Sequence, residues 1–177
     1  MHRVYSKSLF PANRKKYREI CCDITAIDAA NGSKAPSSVG RSQRPTGLAV
    51  DTKTNRLFVG GHNKTMLVLD AATGKRIANL PTGSGIDATA FDQRNHLVFF
   101  SNGEGYLAII QEKSSDDYVA LAPVTTQQSA KTVAFDNKTG KIFLPAAEVI
   151  TMPASDPSQK PKHTITEGTF SVLAVGK

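Results

Sequence analysis

Polar and charged side chains gather at the turns of this sequence, and their types bound the chemistry available. Asp87, Asn102, Glu104 and Glu148 carry oxygens that could together serve a divalent cation, which favours hard oxygen ligands. A histidine such as His62 could act as a ligand or a base, but it stands with Asn63 in a Gly-His-Asn-Lys turn, where a turn role is the simpler reading. Arg44, Thr46 and Lys131 complete the polar set. The sequence holds no HExxH, no GxSxG elbow, no GxxxxGK[ST] loop, no paired CxxC and no GxGxxG at a strand-to-helix turn. No catalytic residue, no cofactor and no metal ligand is therefore assigned. The polar set reads instead as a ligand-binding mouth, with solvated turn residues as the bland alternative.

The elements that would bring these residues together come from a repeat. Gly47 to Asp51 (GLAVD) is answered by Ala88 to Asp92 (ATAFD) and by Thr132 to Asp136 (TVAFD), so the closing aspartates lie 41 and 44 residues apart. Each is followed by a second apolar run, LFV at 57–59, LVFF at 97–100 and IFL at 142–144, and then by a third, MLVL at 66–69, LAII at 107–110 and VLAV at 172–175. Short strands repeating at this period are the signature of β-propeller blades. The expectation is an all-β fold: a partial β-propeller with three clear four-stranded blades, 45–85, 86–130 and 131–177, preceded by a blade remnant at 23–44. Residues 1–22 read as a basic irregular segment, and 145–168, carrying Pro153, Pro157 and Pro161, as a loop. In such a ring the loops entering each inner strand, with Arg44 and Thr46, Asp87, and Lys131, meet the loops between second and third strands, with His62 and Asn63, Asn102 and Glu104, and Glu148. Asp51, Asp92 and Asp136 recur in every unit, which marks a turn requirement rather than a site.

PTGLAVD, RLFVGGHNKTMLVLDAATGK, VFFSNGEGYLAII and KTVAFDNKTGKIFLPAAE resemble the YVTN-repeat propellers, in particular the YncE-like family related to the quinoprotein amine dehydrogenase β-chain. The resemblance covers roughly residues 45–177. It implies a propeller that is usually seven-bladed, so this chain would be a partial copy, whose blade faces at 45 and at 177 would be left uncovered and would invite self-association or a partner chain. It also implies a periplasmic setting and a non-enzymatic binding or interaction scaffold of unknown ligand. The alternatives are a lactonase-like hydrolase, in which the mouth carboxylates would hold calcium, a subunit beside a redox partner, or a fragment of a disrupted gene.

Composition narrows the partners. Residues 1–44 hold nine Lys and Arg against three Asp and Glu, whereas the remainder is nearly balanced at thirteen against twelve. The excess of basic charge, mainly Arg14, Lys15, Lys16 and Arg18, reads as a solvated tail, with nucleic-acid contact as the less favoured alternative. Cys21 and Cys22 are adjacent, which disfavours a disulfide between them. No run approaches the apolar length of a membrane span, and the first residues lack the apolar core of a secretory signal, leaving a cytoplasmic setting as the alternative to export.

Overall fold

Leu57, Phe58 and Val59 are consecutive, and a pleated strand sends Phe58 to one face and its two neighbours to the other. Both faces must then be covered. In a computed structural model, which describes residues 15–20, 23–28, 34–41, 45–152 and 161–176, they are covered by neighbouring sheets, and the described elements are all strands. A first sheet holds β1 (Lys15–Ile20), β2 (Asp23–Asp28) and β3 (Lys34–Arg41) in that order. A second is the antiparallel meander β4 (Pro45–Asp51), β5 (Arg56–Gly61), β6 (Thr65–Asp70) and β7 (Arg76–Pro81). The third repeats it with β8 (Ile86–Asp92), β9 (Leu97–Asn102) and β10 (Tyr106–Ser114), but its outer strand is split into β11 (Asp117–Ala120) and β12 (Val124–Thr125), both paired with β10. The remaining strands are β13 (Ala134–Phe135), β14 (Ile142–Ala146), the separate hairpin β15 (Val149–Met152) and β16 (Lys162–Ile165), and β17 (Ser171–Val175), which pairs with β14 to close a three-stranded sheet.

The repeated aspartates make the turns. Asp51 accepts the Lys53 amide at 2.8 Å and the Thr54 hydroxyl at 2.6 Å. Asp92 accepts the Arg94 amide at 2.9 Å, and Asp136 accepts the Lys138 amide at 2.9 Å and the Thr139 hydroxyl at 2.6 Å. A carboxylate that caps the amide two residues on is an Asx turn.

Apolar clusters fill the spaces between sheets. Leu48, Leu57, Val59, Leu67 and Leu69 face Ile24 and Ala26 of the first sheet. Ala49, Phe58, Met66 and Val68 face Ile86, Val98, Phe100 and Ile110 of the third, and Phe99 and Leu107 on its other side face Ile142 and Leu144. Two glycines allow the second and third sheets to close up. A Cβ on Gly47 would lie 2.8 Å from the Thr89 amide nitrogen, and one on Gly60 would lie 2.7 Å from Ile86 Cγ2. Polar ties cross the same gap: Arg56 bonds Asp70 of its own sheet at 3.0 Å and, across the gap, the Ser115 carbonyl at 2.9 Å and Asp116 at 3.0 Å.

Three expectations need correction. Residues 15–20, expected to be irregular, form β1 and pair in register with β2, Tyr17 opposite Ala26; pairing overrode the basic composition. Residues 145–168 are more than a loop, because Val149–Met152 and Lys162–Ile165 pair as a hairpin; the prolines at 153 and 157 fall in its connection, beyond the described residues, and Pro161 directly precedes β16. The blade face at 45 is not bare, since the buried Ile24 and Ala26 pack on it. At the other end Val172 and Phe170 are 55% and 71% exposed. The basic residues Lys15, Lys16 and Arg18 lie on β1, whereas Arg14, Cys21 and Cys22 lie outside the described residues.

Candidate functional site

Turns at one end of the second to fourth sheets and the β15–β16 hairpin enclose a cavity of about 620 Å³. His62 reaches it from the β5–β6 turn, Asp87 from the start of β8, Glu104 from the β9–β10 turn and Lys131 from the loop before β13. These four of the expected mouth residues share one opening because they occupy matching turns of successive blades.

The rest of the set serves other ends. Thr46 donates its hydroxyl to the Ile86 carbonyl at 2.8 Å, a staple between sheets. Asn102 is fully buried, donates to the Ser84 carbonyl and accepts the Glu104 amide at 3.0 Å, so it braces its own turn. Asn63 is exposed in the turn beside His62, and Glu148 has its amide bonded to Thr169 Oγ1 at 3.0 Å and its side chain exposed. Neither lines the cavity. Arg44 lies outside the described residues. The four oxygen-bearing residues Asp87, Asn102, Glu104 and Glu148 are thus not gathered around one point.

Within the cavity the two carboxylates already have partners. Asp87 accepts the Thr132 amide at 2.9 Å and its hydroxyl at 3.4 Å, and Glu104 accepts the Ser84 hydroxyl. Lys131 is exposed, lies along Gly103 and makes no ion pair with a described residue. The floor is apolar, with Ile86, Ala146, Ala147, Val149, Ile165 and Phe170. Two of these six, Val149 and Ile165, and His163, whose ring nitrogen lies 3.0 Å from the Thr151 hydroxyl, come from the β15–β16 hairpin, in the stretch expected to be a loop. The available signal was the extended β-forming run VITM at 149–152.

A second polar group lies at the opposite ends of the strands. Asp51 closes β4, His96 ends the β8–β9 turn and Glu112 lies on β10, with Glu112 Oε2 3.1 Å from His96 Nδ1. Burial raises the Glu112 carboxyl above its usual range, and the nearby Asp51 charge adds to the rise. Burial also acts on Asp51, but hydrogen bonds from Thr54, Gln93 and the Lys53 amide outweigh it and hold that carboxyl below the usual range. His96, which has no evident partner in the sequence, is a neighbour of Glu112 across the hairpin.

Stacked antiparallel meanders with a polar mouth at one end define part of a β-propeller. The same fold occurs in hydrazine synthase of Kuenenia stuttgartiensis, with a TM-score of 0.66 and 12% identity over 81% of this chain and 44% of that one. A chain of the mitotic checkpoint complex matches with a TM-score of 0.61 and 14% identity over 74% of this chain and 42% of its own length. Both contain propellers. This chain therefore spans less than half the length of either. No protein-family model and no curated protein matches the sequence.

Proposed function

We propose that the protein is a non-enzymatic propeller scaffold of the YVTN-repeat, YncE-like kind, which binds a small organic anion with an apolar body at the mouth. The observation that carries this reading is the composition of the 620 Å³ cavity: a largely apolar lining under a rim where Lys131 makes no ion pair among the described residues. A ligand of this shape gains from burial of its apolar surface, roughly 25 cal/mol per Å², while its charge stays at the wet rim beside Lys131 and His62. Asp87 and Glu104 keep their negative charge while accepting hydrogen bonds from Thr132 and Ser84, so the anionic group must sit against Lys131 and away from them. The sequence resemblance adds a periplasmic setting to the proposal.

Ligand-observed NMR with naphthoate tests it. Saturation transfer from the wild-type protein is expected to fall at least several-fold in Lys131→Ala and in Ile165→Ser. Equal transfer from all three proteins would remove the mouth as the site.

A further inference from the structure

Each of Asp51, His96 and Glu112 offers one ligating atom, and these atoms all lie within 4.8 Å of one another. Asp51 is 0% exposed and Glu112 4%, so two carboxylates face each other out of water. Burying a charge is costly unless it is compensated; Asp51 has the Lys53 amide, the Thr54 hydroxyl and the Gln93 amide as donors, and it is at Glu112 that the compensation is thin. The Thr54 hydroxyl lies 2.6 Å from Asp51 and 3.2 Å from Glu112, and its single proton cannot serve both. Tyr118 directs its hydroxyl to the Ser115 carbonyl at 2.7 Å and approaches Glu112 only at 3.5 Å. Gln93 donates to Asp51 at 2.6 Å, and the nearby Arg56 is committed to Asp70 and Asp116. Among the described residues no lysine or arginine pairs with either carboxylate.

We propose that Asp51, His96 and Glu112 form a binding site for a first-row divalent transition cation, with zinc as the representative ion. Two carboxylates match its double charge, and the imidazole selects it over calcium and magnesium, which take oxygen ligands in larger number. Three protein ligands leave a fourth position for water. Ligands about 2.0–2.2 Å from a tetrahedral zinc stand roughly 3.4 Å apart, so the site closes by movements of about 1 Å or less. Side-chain rotation supplies this readily at His96, which is 42% exposed. Asp51 comes from the second sheet and His96 and Glu112 from the third, so the ion ties two blades together at the end opposite the mouth. Among the described residues Asp92 and Asp136 accept hydrogen bonds from their own turns alone, which separates Asp51 from its sequence equivalents.

Isothermal titration of the full chain with zinc chloride, and cobalt absorption spectroscopy, test the proposal. One equivalent of zinc is expected to bind and to raise the melting temperature, as any ligand selective for the native state does. The cobalt spectrum should show nitrogen and oxygen ligation without thiolate charge transfer, and it should persist in a variant with Cys21→Ser and Cys22→Ser. Even outer partners of metal ligands change affinity by about 10–100-fold, so His96→Asn and Glu112→Gln should each weaken binding at least that much. His96 has a positive φ of 55°, which asparagine tolerates, so His96→Asn keeps the turn if Glu112→Gln proves unstable. Equal affinity in wild type and His96→Asn, binding lost with the cysteines, or no binding at all would each overturn the proposal.

Discussion

Gly47→Ala probes how closely the second and third sheets are packed. The added Cβ would lie 2.8 Å from the carbonyl carbon of Ala88 and from the Thr89 amide nitrogen, and nearer still to Thr89 Oγ1. Ordinary contacts between such atoms lie near 3.5–4.0 Å, so β4 and β8 would have to part by about 1 Å. The close atoms include backbone held in the β8–β9 ladder, and no rotamer change relieves that part of the clash. Overpacking of this kind costs about 1–3 kcal/mol, or a fall in melting temperature of roughly 2–12 °C for a chain this long. Urea denaturation of wild type, Gly47→Ala, Thr89→Ala and the double variant measures it. Thr89→Ala removes the hydroxyl and leaves the backbone in place, so Gly47→Ala should still cost more than about 1 kcal/mol in that background. Full rescue by Thr89→Ala would refute the reasoning, because the obstruction would then be a movable side chain and not the approach of two strands.

Phe58→Ala removes a fully buried ring that meets Phe91 at 5.0 Å and Tyr118 at 6.0 Å between centroids. A loss of about 3–5 kcal/mol in urea is expected, and a loss below about 1 kcal/mol would mean that the two sheets do not share a core. Asp70 is held below the usual carboxylate range, first by the Thr73 amide, with Ala72 and Arg56 adding to it. Its stabilisation is therefore complete above the unfolded value near 3.8 and is lost as pH falls through the lower folded value. Asp70→Asn should flatten the acid limb of stability against pH below about 4, and an unchanged slope in urea titrations at successive pH values would contradict this.

The blade plan was legible where the short apolar runs of the repeat met Asx turns. Asp51, Asp92 and Asp136 cap their own turn amides, so the local sequence carries the structure of the hairpins that follow, and strands β4 to β10 fall where the apolar runs lie. It was less legible where pairing is decided elsewhere. β1 is written KKYREI, a basic run whose strand state depends on β2, and the β15–β16 hairpin is masked by prolines near its connection. The mouth shows the same division. His62, Asp87, Glu104 and Lys131 could be placed together because loops at matching positions of a repeat share an end. Thr46 and Asn102 look identical in kind, but their side chains are consumed by the Ile86 and Ser84 carbonyls, a fact of three-dimensional neighbours. Glu112 gave no signal at all. It sits in Gln-Glu-Lys at the end of β10, where a bulge between Glu112 and Ser114 disturbs the alternation that would tell an inward carboxylate from a solvated one.

Each of the three apolar clusters described lies between two sheets, and that arrangement governs how the molecule comes apart. A single meander possesses no interior of its own; it borrows one from each neighbour. Free energy in such a stack is a sum of nearest-neighbour terms, as in a one-dimensional chain of coupled units, so opening proceeds from the ends inward. β5 and β9, clasped from both sides, are the last strands to exchange their amide hydrogens. The same geometry gives synthesis a direction, since each blade emerging from the ribosome finds the face of its predecessor already waiting as a template.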